Sequence, residues 1–359
     1  MKLGARILKT GIAIVLALFL SELLHLPSPV FAGIAAIFAV QPTIYRSYLS
    51  VLEQVQGNII GALTAFFFVL LFGNDIFIIG LAAIIVITIN LKLKIENTIS
   101  LSLVTLIAIM ETPGEEFIQF AIIRFSTIML GVLSAFIVNM VFLPPKYENK
   151  LYHKISNVTE EIIRWIRYSI RHASEHKLLK NNIVVMKDEM IKLDQLFLMY
   201  KEEQNYFKKM GLVKSRKLVI YRQMVSTARR ALDVLKRLHR YENEWFQAPP
   251  EFEQAIRTQL DCLINHHEQL LLKFIGKIKS KPMLEAEDQC LSKQELFHLF
   301  LDLQKKFPDP ESPILFHSMQ IIASIIEYRE QIEHLDTLIS SFQSYHKDEN
   351  EVDVEEEEK

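Results

Sequence analysis

The chain has 359 residues, half of them apolar, and a formal net charge of −2 from 40 Lys/Arg against 42 Asp/Glu. That balance identifies no partner by bulk charge, and no nucleic acid is expected. Cys262 and Cys290 have no paired spacing, and the simplest reading is free thiols in a reducing compartment.

The averages hide two chemically different halves. Residues 1–145 carry seven Lys/Arg and seven Asp/Glu among long runs of Leu, Ile, Val, Ala and Phe, and the other basic and acidic residues follow from 146 onward. Lys2, Arg6 and Lys9 flank an apolar run from Ile7 to Leu24. Val30-Phe31-Ala32 loosely fits a signal-peptidase site, but the run is longer than a usual signal core and more such runs follow. The first helix is therefore expected to be retained.

Six membrane helices are expected: Arg6–Leu24, Val30–Tyr45, Tyr48–Phe72, Ile76–Leu91, Thr98–Met110 and Phe117–Leu143. Their loops are only a few residues long, which leaves no polar surface to cover a soluble core. The second run would reach only ~24 Å as a helix, short of a hydrocarbon core of ~30 Å. It is broken at Gln41-Pro42-Thr43, where Pro42 has no N–H to give the Phe38 carbonyl. The next helix then starts near Arg46 and Ser47, where free N–H groups and the positive dipole end favour an anion. Gly57, Gly61 and Ala65 follow at four-residue spacing and should let another helix approach closely.

Orientation follows from Lys and Arg. Lys2, Arg6, Lys9, Arg46, Lys92, Lys94, Lys146, Lys150 and Lys154 fall on one side, and the opposite loops contain no Lys or Arg. Both termini are expected in the cytoplasm. In the sixth helix Gly131 and Ala135 repeat the small-residue spacing, Asn139 continues that face and Pro144-Pro145 ends it. Arg124 lies inside this apolar span, where an unpaired charge costs ~2.5–3.5 kcal/mol on insertion scales. It is either a functional cation or a side chain that reaches a neighbour such as Glu22 or Glu111. Gln54, Gln56, Asn58, Asn90 and Asn97 are expected to hydrogen-bond between helices.

From Lys146 the pattern becomes amphipathic. Leu151, Ile155, Val158, Ile162, Trp165 and Ser169 form a seam of four- and three-residue steps. So do Ile183, Met186, Met190, Leu193, Phe197 and Tyr200, and then Leu218, Tyr221, Val225, Ala228, Leu232 and Leu235. A fourth helix follows Ala248-Pro249-Pro250 and runs to about Lys279, and Ser280–Leu291 reads as a linker. A short helix and a last one over Pro313–Tyr345 flank Phe307-Pro308-Asp309-Pro310. Lys208, Lys209, Lys214, Arg216 and Lys217 read as a solvated bend around Gly211, or as a surface for anionic lipid or a carboxylate. Cys262, His266, His267 and Glu268 lack a second ligand pair at metal spacing, and His172 and His176 suit a solvated face.

The chain is thus expected to be all-α: a six-transmembrane-helix bundle over 1–145, a cytoplasmic antiparallel helical bundle over 146–346 and a disordered acidic tail over 347–359. AVQPTIYRS, GNIIGAL and the IRF…GVL…VN…PP ending together resemble the bacterial aromatic acid exporter family, within a wider fusaric-acid-resistance-type group. The resemblance covers both halves and implies efflux of aromatic carboxylates or related organic anions. Larger members of that group have duplicated membrane halves, so a single half implies a homodimer or higher assembly.

The expected function is an integral membrane transporter or channel for organic anions in contact with lipid. The rival is a non-transporting, membrane-anchored scaffold or ligand sensor. An enzyme is not expected, since no phosphate loop, dinucleotide turn, G-x-S-x-G or H-E-x-x-H is present, and neither a cofactor nor a metal is expected. The candidate anion pathway is Gln41, Pro42, Thr43, Arg46, Ser47, Arg124 and Asn139, with Gly57, Gly61, Gly131 and Ala135 as packing positions.

Overall fold

The computed structural model describes residues 5–41, 44–111, 117–141, 147–206, 212–278, 290–307, 309 and 312–346. Pro42, Thr43, Pro144-Pro145, the bend at 207–211, most of the 280–291 linker and the acidic tail lie outside them. The described elements are all helices: α1 (Ala5–Leu23), α2 (Pro29–Ala39), α3 (Ile44–Phe72), α4 (Ile76–Lys92), α5 (Ile99–Met110), α6 (Phe117–Val141), α7 (Tyr147–Ser169), α8 (His176–Tyr206), α9 (Leu212–Arg240), α10 (Glu242–Phe246), α11 (Pro250–Phe274), α12 (Lys293–Lys306) and α13 (Pro313–His346). They group into two compact units, 1–145 and 146–359.

In the first unit, small residues lie inside and large apolar ones outside. Ala13 and Ala17 of α1, Ala32, Ala35, Ala36 and Ala39 of α2, and Val132 and Ala135 of α6 form one buried cluster. Ala65, Ala82, Val86, Leu106 and Ile109 form a second, between α3, α4 and α5. Phe19, Leu71, Ile76 and Phe77 face outward. A soluble core inverts this order, whereas helices in lipid associate through small side chains. Tyr45–Phe72 and Gln119–Val141 are long and apolar enough to cross a membrane, and Pro29–Ala39, Ile76–Lys92 and Glu96–Met110 are shorter apolar helices.

Two glycines set the helix spacing. A Cβ on Gly61 would collide with the Ser102 carbonyl of α5, and one on Gly131 with the Ala32 carbonyl of α2. On Gly57 it would lie 3.2 Å from the Thr98 carbonyl. Lys9 does not reach out as a loop-side charge. It is buried in a stripe with Ala13, Ala17 and Ser21, and its ammonium donates to Asn139 Oδ1 at 3.3 Å.

The second unit buries the expected seams of α8 and α9. The buried stripe of α7 reaches Ile166 and continues to Ile170 just past its end, with Trp165 half-buried beside it, because a straight helix drifts ~20° per heptad from a 3.5-residue repeat. The short α10 was not read from the sequence. α12 opens on a capping box, Ser292 accepting from the Glu295 N–H and Glu295 from the Ser292 N–H. Lys217 is not part of a solvated bend: it is buried and pairs with Glu148 at 2.9 Å. Lys273 is likewise buried against Asp336 at 2.7 Å. Removing one partner of such a pair costs ~3–5 kcal/mol, since the other charge stays buried.

The free-thiol reading fails. Cys262 of α11 and Cys290, just before α12, form a disulfide with their Cα atoms 5.7 Å apart. Leu291 N donates to Gln259 Oε1 one turn earlier on α11, and this contact returns the chain to the Cys262 face. A separation of 28 residues carries no such information by itself.

Candidate functional site

The break between α2 and α3 starts the site. Helix α2 ends at Ala39, earlier than the apolar run predicts, and α3 already includes Tyr45, Arg46 and Ser47. A helix end leaves carbonyls without partners. Here the Phe38 carbonyl accepts from Gln41 Nε2 at 3.2 Å and Ser50 Oγ at 3.4 Å, and the Ala39 carbonyl accepts from Ser47 Oγ at 3.2 Å. Ser50 of the next helix, with Gln41, thus reaches the Phe38 carbonyl that Pro42 cannot bond, and Ser47 reaches the following one.

Beyond this break lies a cavity of about 390 Å³, walled by α2, α3, α5 and α6. Its lining runs along α3 from Ser50 to Asn58, ~12 Å by helical rise. Gln41 borders it at the break and Arg124 lies in its wall beyond. The volume falls in the range of small-molecule sites.

Arg124 is only 5 % exposed, its guanidinium lies 3.8 Å from the Phe31 ring centroid, and its Nε has no hydrogen-bond partner. Gln54, buried in the same wall, has neither amide atom bonded. Asn58 accepts from Thr105 Oγ1, and Asn97 donates to Glu53 Oε1 at 3.1 Å. Among the described residues no ion pair joins Arg124 to Glu22 or Glu111. A buried guanidinium with an unbonded Nε–H and an amide without a partner carry a desolvation cost which an anionic, hydrogen-bonding ligand would offset.

The expected residues separate in space. Gln41 and Arg124 share the cavity. Arg46 is half-buried outside its lining, Ser47 is engaged with Ala39, and Asn139 holds Lys9 in the α1–α6 seam. Pro42 and Thr43 lie outside the described residues. Phe31 was missed, since one aromatic in an apolar run has no signature. Gln54, expected to bond between helices, makes no such bond. Asn90 does bond across helices, to Ser102 and Thr98.

The quartet around Cys262 is also dispersed: Cys262 is in the disulfide, His267 Nδ1 lies 2.9 Å from the Tyr328 hydroxyl, and Glu268 pairs with Arg167 at 2.6 Å.

A family model described as aromatic acid exporter family member 1 matches residues 1–142, and one described as fusaric acid resistance protein family matches residues 98–306. The chain belongs to the fusaric acid resistance protein family. The resemblance carried by AVQPTIYRS and GNIIGAL therefore holds. These are families of membrane transporters rather than enzymes. Among individual members, the chain is similar to the UPF0421 protein YgaE of Bacillus subtilis (strain 168), 56% identical over 357 residues, 99% of this chain and 100% of that relative. It is 32% identical over 199 residues to UPF0421 protein OB2406 of Oceanobacillus iheyensis, 55% of this chain and 56% of that relative. A third relative, a UPF0421 protein of Bacillus thuringiensis (strain Al Hakam), is 23% identical over 345 residues, 92% of this chain and 94% of that relative. These relatives' names carry no substrate.

Proposed function

We propose that this family member is a multi-pass membrane transporter that exports organic anions, with planar carboxylates as the substrate class. In this reading α1 to α6 cross the membrane, both termini and the second unit lie in the cytoplasm, and two or more copies assemble. The observation that carries it is Arg124, buried against Phe31 beside the unbonded Gln54 in a cavity that reaches the α2–α3 break. A carboxylate would take a paired geometry on the guanidinium, an aromatic body would follow the Phe31 face, and Gln54 would bond a remaining polar group. Arg46, near the start of α3, would attract the anion before it enters. A scaffold or anchor needs no buried cation in a cavity.

The test is flux from proteoliposomes loaded with a panel of aromatic and aliphatic carboxylates. The wild type should move at least one aromatic carboxylate, and Arg124→Gln should not. Absence of flux for every anion, or equal flux in the variant, would refute the reading.

A further inference from the structure

The second unit holds a cluster of donors that the transport reading does not use. Helix α7 ends at Ser169 and α8 begins at His176, so their turn lies at the end of the bundle opposite Tyr147. The corner between α9 and α10 meets it there with His239 and Glu242. His176 Nδ1 lies 2.6 Å from Glu242 Oε2, and His239 Nδ1 lies 4.0 Å from the same oxygen. The two imidazole rings face each other with centroids 4.1 Å apart. One donor atom from each residue lies within 4.8 Å of the other two.

An independent observation points to a ligand. His239 Nδ1 is buried and has no hydrogen-bond partner, and the nearest Glu242 carboxylate oxygen lies 4.0 Å from it. A buried nitrogen without a partner is costly. An ion between the three groups gives that nitrogen its partner. With bonds of ~2.0–2.1 Å, a tetrahedral ion separates its donors by ~3.3 Å, a value that falls between the 2.6 and 4.0 Å observed here.

We propose that His176, His239 and Glu242 form a site for a divalent transition-metal ion of the zinc class, with water in the fourth position. Two imidazole nitrogens and one carboxylate suit Zn²⁺, whereas Ca²⁺ and Mg²⁺ require mostly oxygen donors. The ion would clamp the first turn of α8 to the α9–α10 corner. The neighbouring pairs His172–Glu253 and His317–Glu244 each offer one imidazole and one carboxylate and remain simple ion pairs.

The test uses the full chain in detergent, without a polyhistidine tag and stripped by chelator, titrated with Zn²⁺ by calorimetry and followed by thermal unfolding. One saturable equivalent should bind and raise the Tm, a chelator should reverse the rise, and Mg²⁺ should give none. His176→Ala and His239→Ala should each weaken binding at least tenfold, and His172→Ala should leave it unchanged. Co²⁺ in place of Zn²⁺ should give the visible absorption of a tetrahedral site, absent in His176→Ala. His176 has an exposed side chain, 64% accessible, so its variant should fold and decides the matter even if His239→Ala does not fold. Absence of saturable binding to the wild type, or equal binding in His176→Ala, overturns the proposal.

Discussion

The Arg124 guanidinium of α6 lies over the Phe31 ring of α2, 3.8 Å from its centroid. Away from water such a contact is worth ~2 kcal/mol, and it holds the planar cation in one orientation within the cavity wall. Arg124→Gln should keep the fold and lose anion flux. Arg124→Lys should restore flux only in part, since an ammonium lacks the planar fork. Phe31→Leu keeps the charge and should weaken anion affinity up to about tenfold, the effect of losing ~1.4 kcal/mol. Flux and Tm measured on the same samples separate these outcomes from misfolding. A Gln variant that is stable and transports normally would remove Arg124 from the mechanism.

Gly131 and Gly80 make a paired test of the packing seam. A Cβ on Gly131 meets the Ala32 backbone, which cannot yield, whereas Gly80 has open space around it. Gly131→Leu should destabilise the first unit by at least the ~1–3 kcal/mol of ordinary overpacking, and Gly80→Leu should be near neutral. Unfolding of both variants in detergent, with yield as a second readout, measures the difference. Equal stability would mean that α2 and α6 do not approach this closely.

His267 makes the second unit acid-sensitive. Burial first, then the neighbouring His266, push its pKa down to about 3, against ~6.5 in an unfolded chain. Between those values the unfolded chain takes up a proton and the folded one does not. Stability is therefore full above pH 6.5 and falls with decreasing pH, by up to ~1.4 kcal/mol per pH unit for this one group. His266, lowered by burial, acts in the same direction. Both tryptophans, Trp165 and Trp245, lie in this unit, so their fluorescence reports its unfolding. His267→Gln should flatten the pH dependence even if it lowers the starting stability. An unchanged slope would place the acid sensitivity elsewhere.

The Cys262–Cys290 bond closes a loop of 28 residues in sequence separation, which corresponds to ~3–4 kcal/mol of stabilisation in the chain-entropy account. Protein purified without reductant and then unfolded should show no free thiol. Reductant or Cys290→Ser should lower the tryptophan-detected midpoint. Two free thiols in the unreduced sample would restore the sequence-based expectation.

The one-sided Lys and Arg distribution predicts membrane topology. In a cysteine-free background, a cysteine at Asn74 should react with an impermeant reagent applied outside intact cells, and one at Lys94 should not. The opposite pattern would invert the transporter and its direction of export.

Much of the fold is legible because its determinants are local. Hydropathy and helical period place α1 and α3 to α6 within a few residues of the expected ranges, and seam spacing marks the buried faces of α8 and α9. Pro42 announces the α2–α3 break because a missing N–H acts within one turn, although Ser47 and Ser50 decide how that break is closed. Gly61 and Gly131 announce close approach, but the carbonyls they meet belong to helices about forty and one hundred residues away. The site depends on those approaches. Phe31 meets Arg124 across the α2–α6 pair that Gly131 lets approach closely, and Gln54 is buried without a partner in the same cavity wall. Cys262–Cys290 and the His176–His239–Glu242 cluster arise likewise, from chain returns that no spacing encodes. Composition and periodicity determined the helices and their apolar faces, because those are set within a few turns of chain. Which faces meet, and hence which polar groups lose water together, was decided by packing between helices distant in sequence.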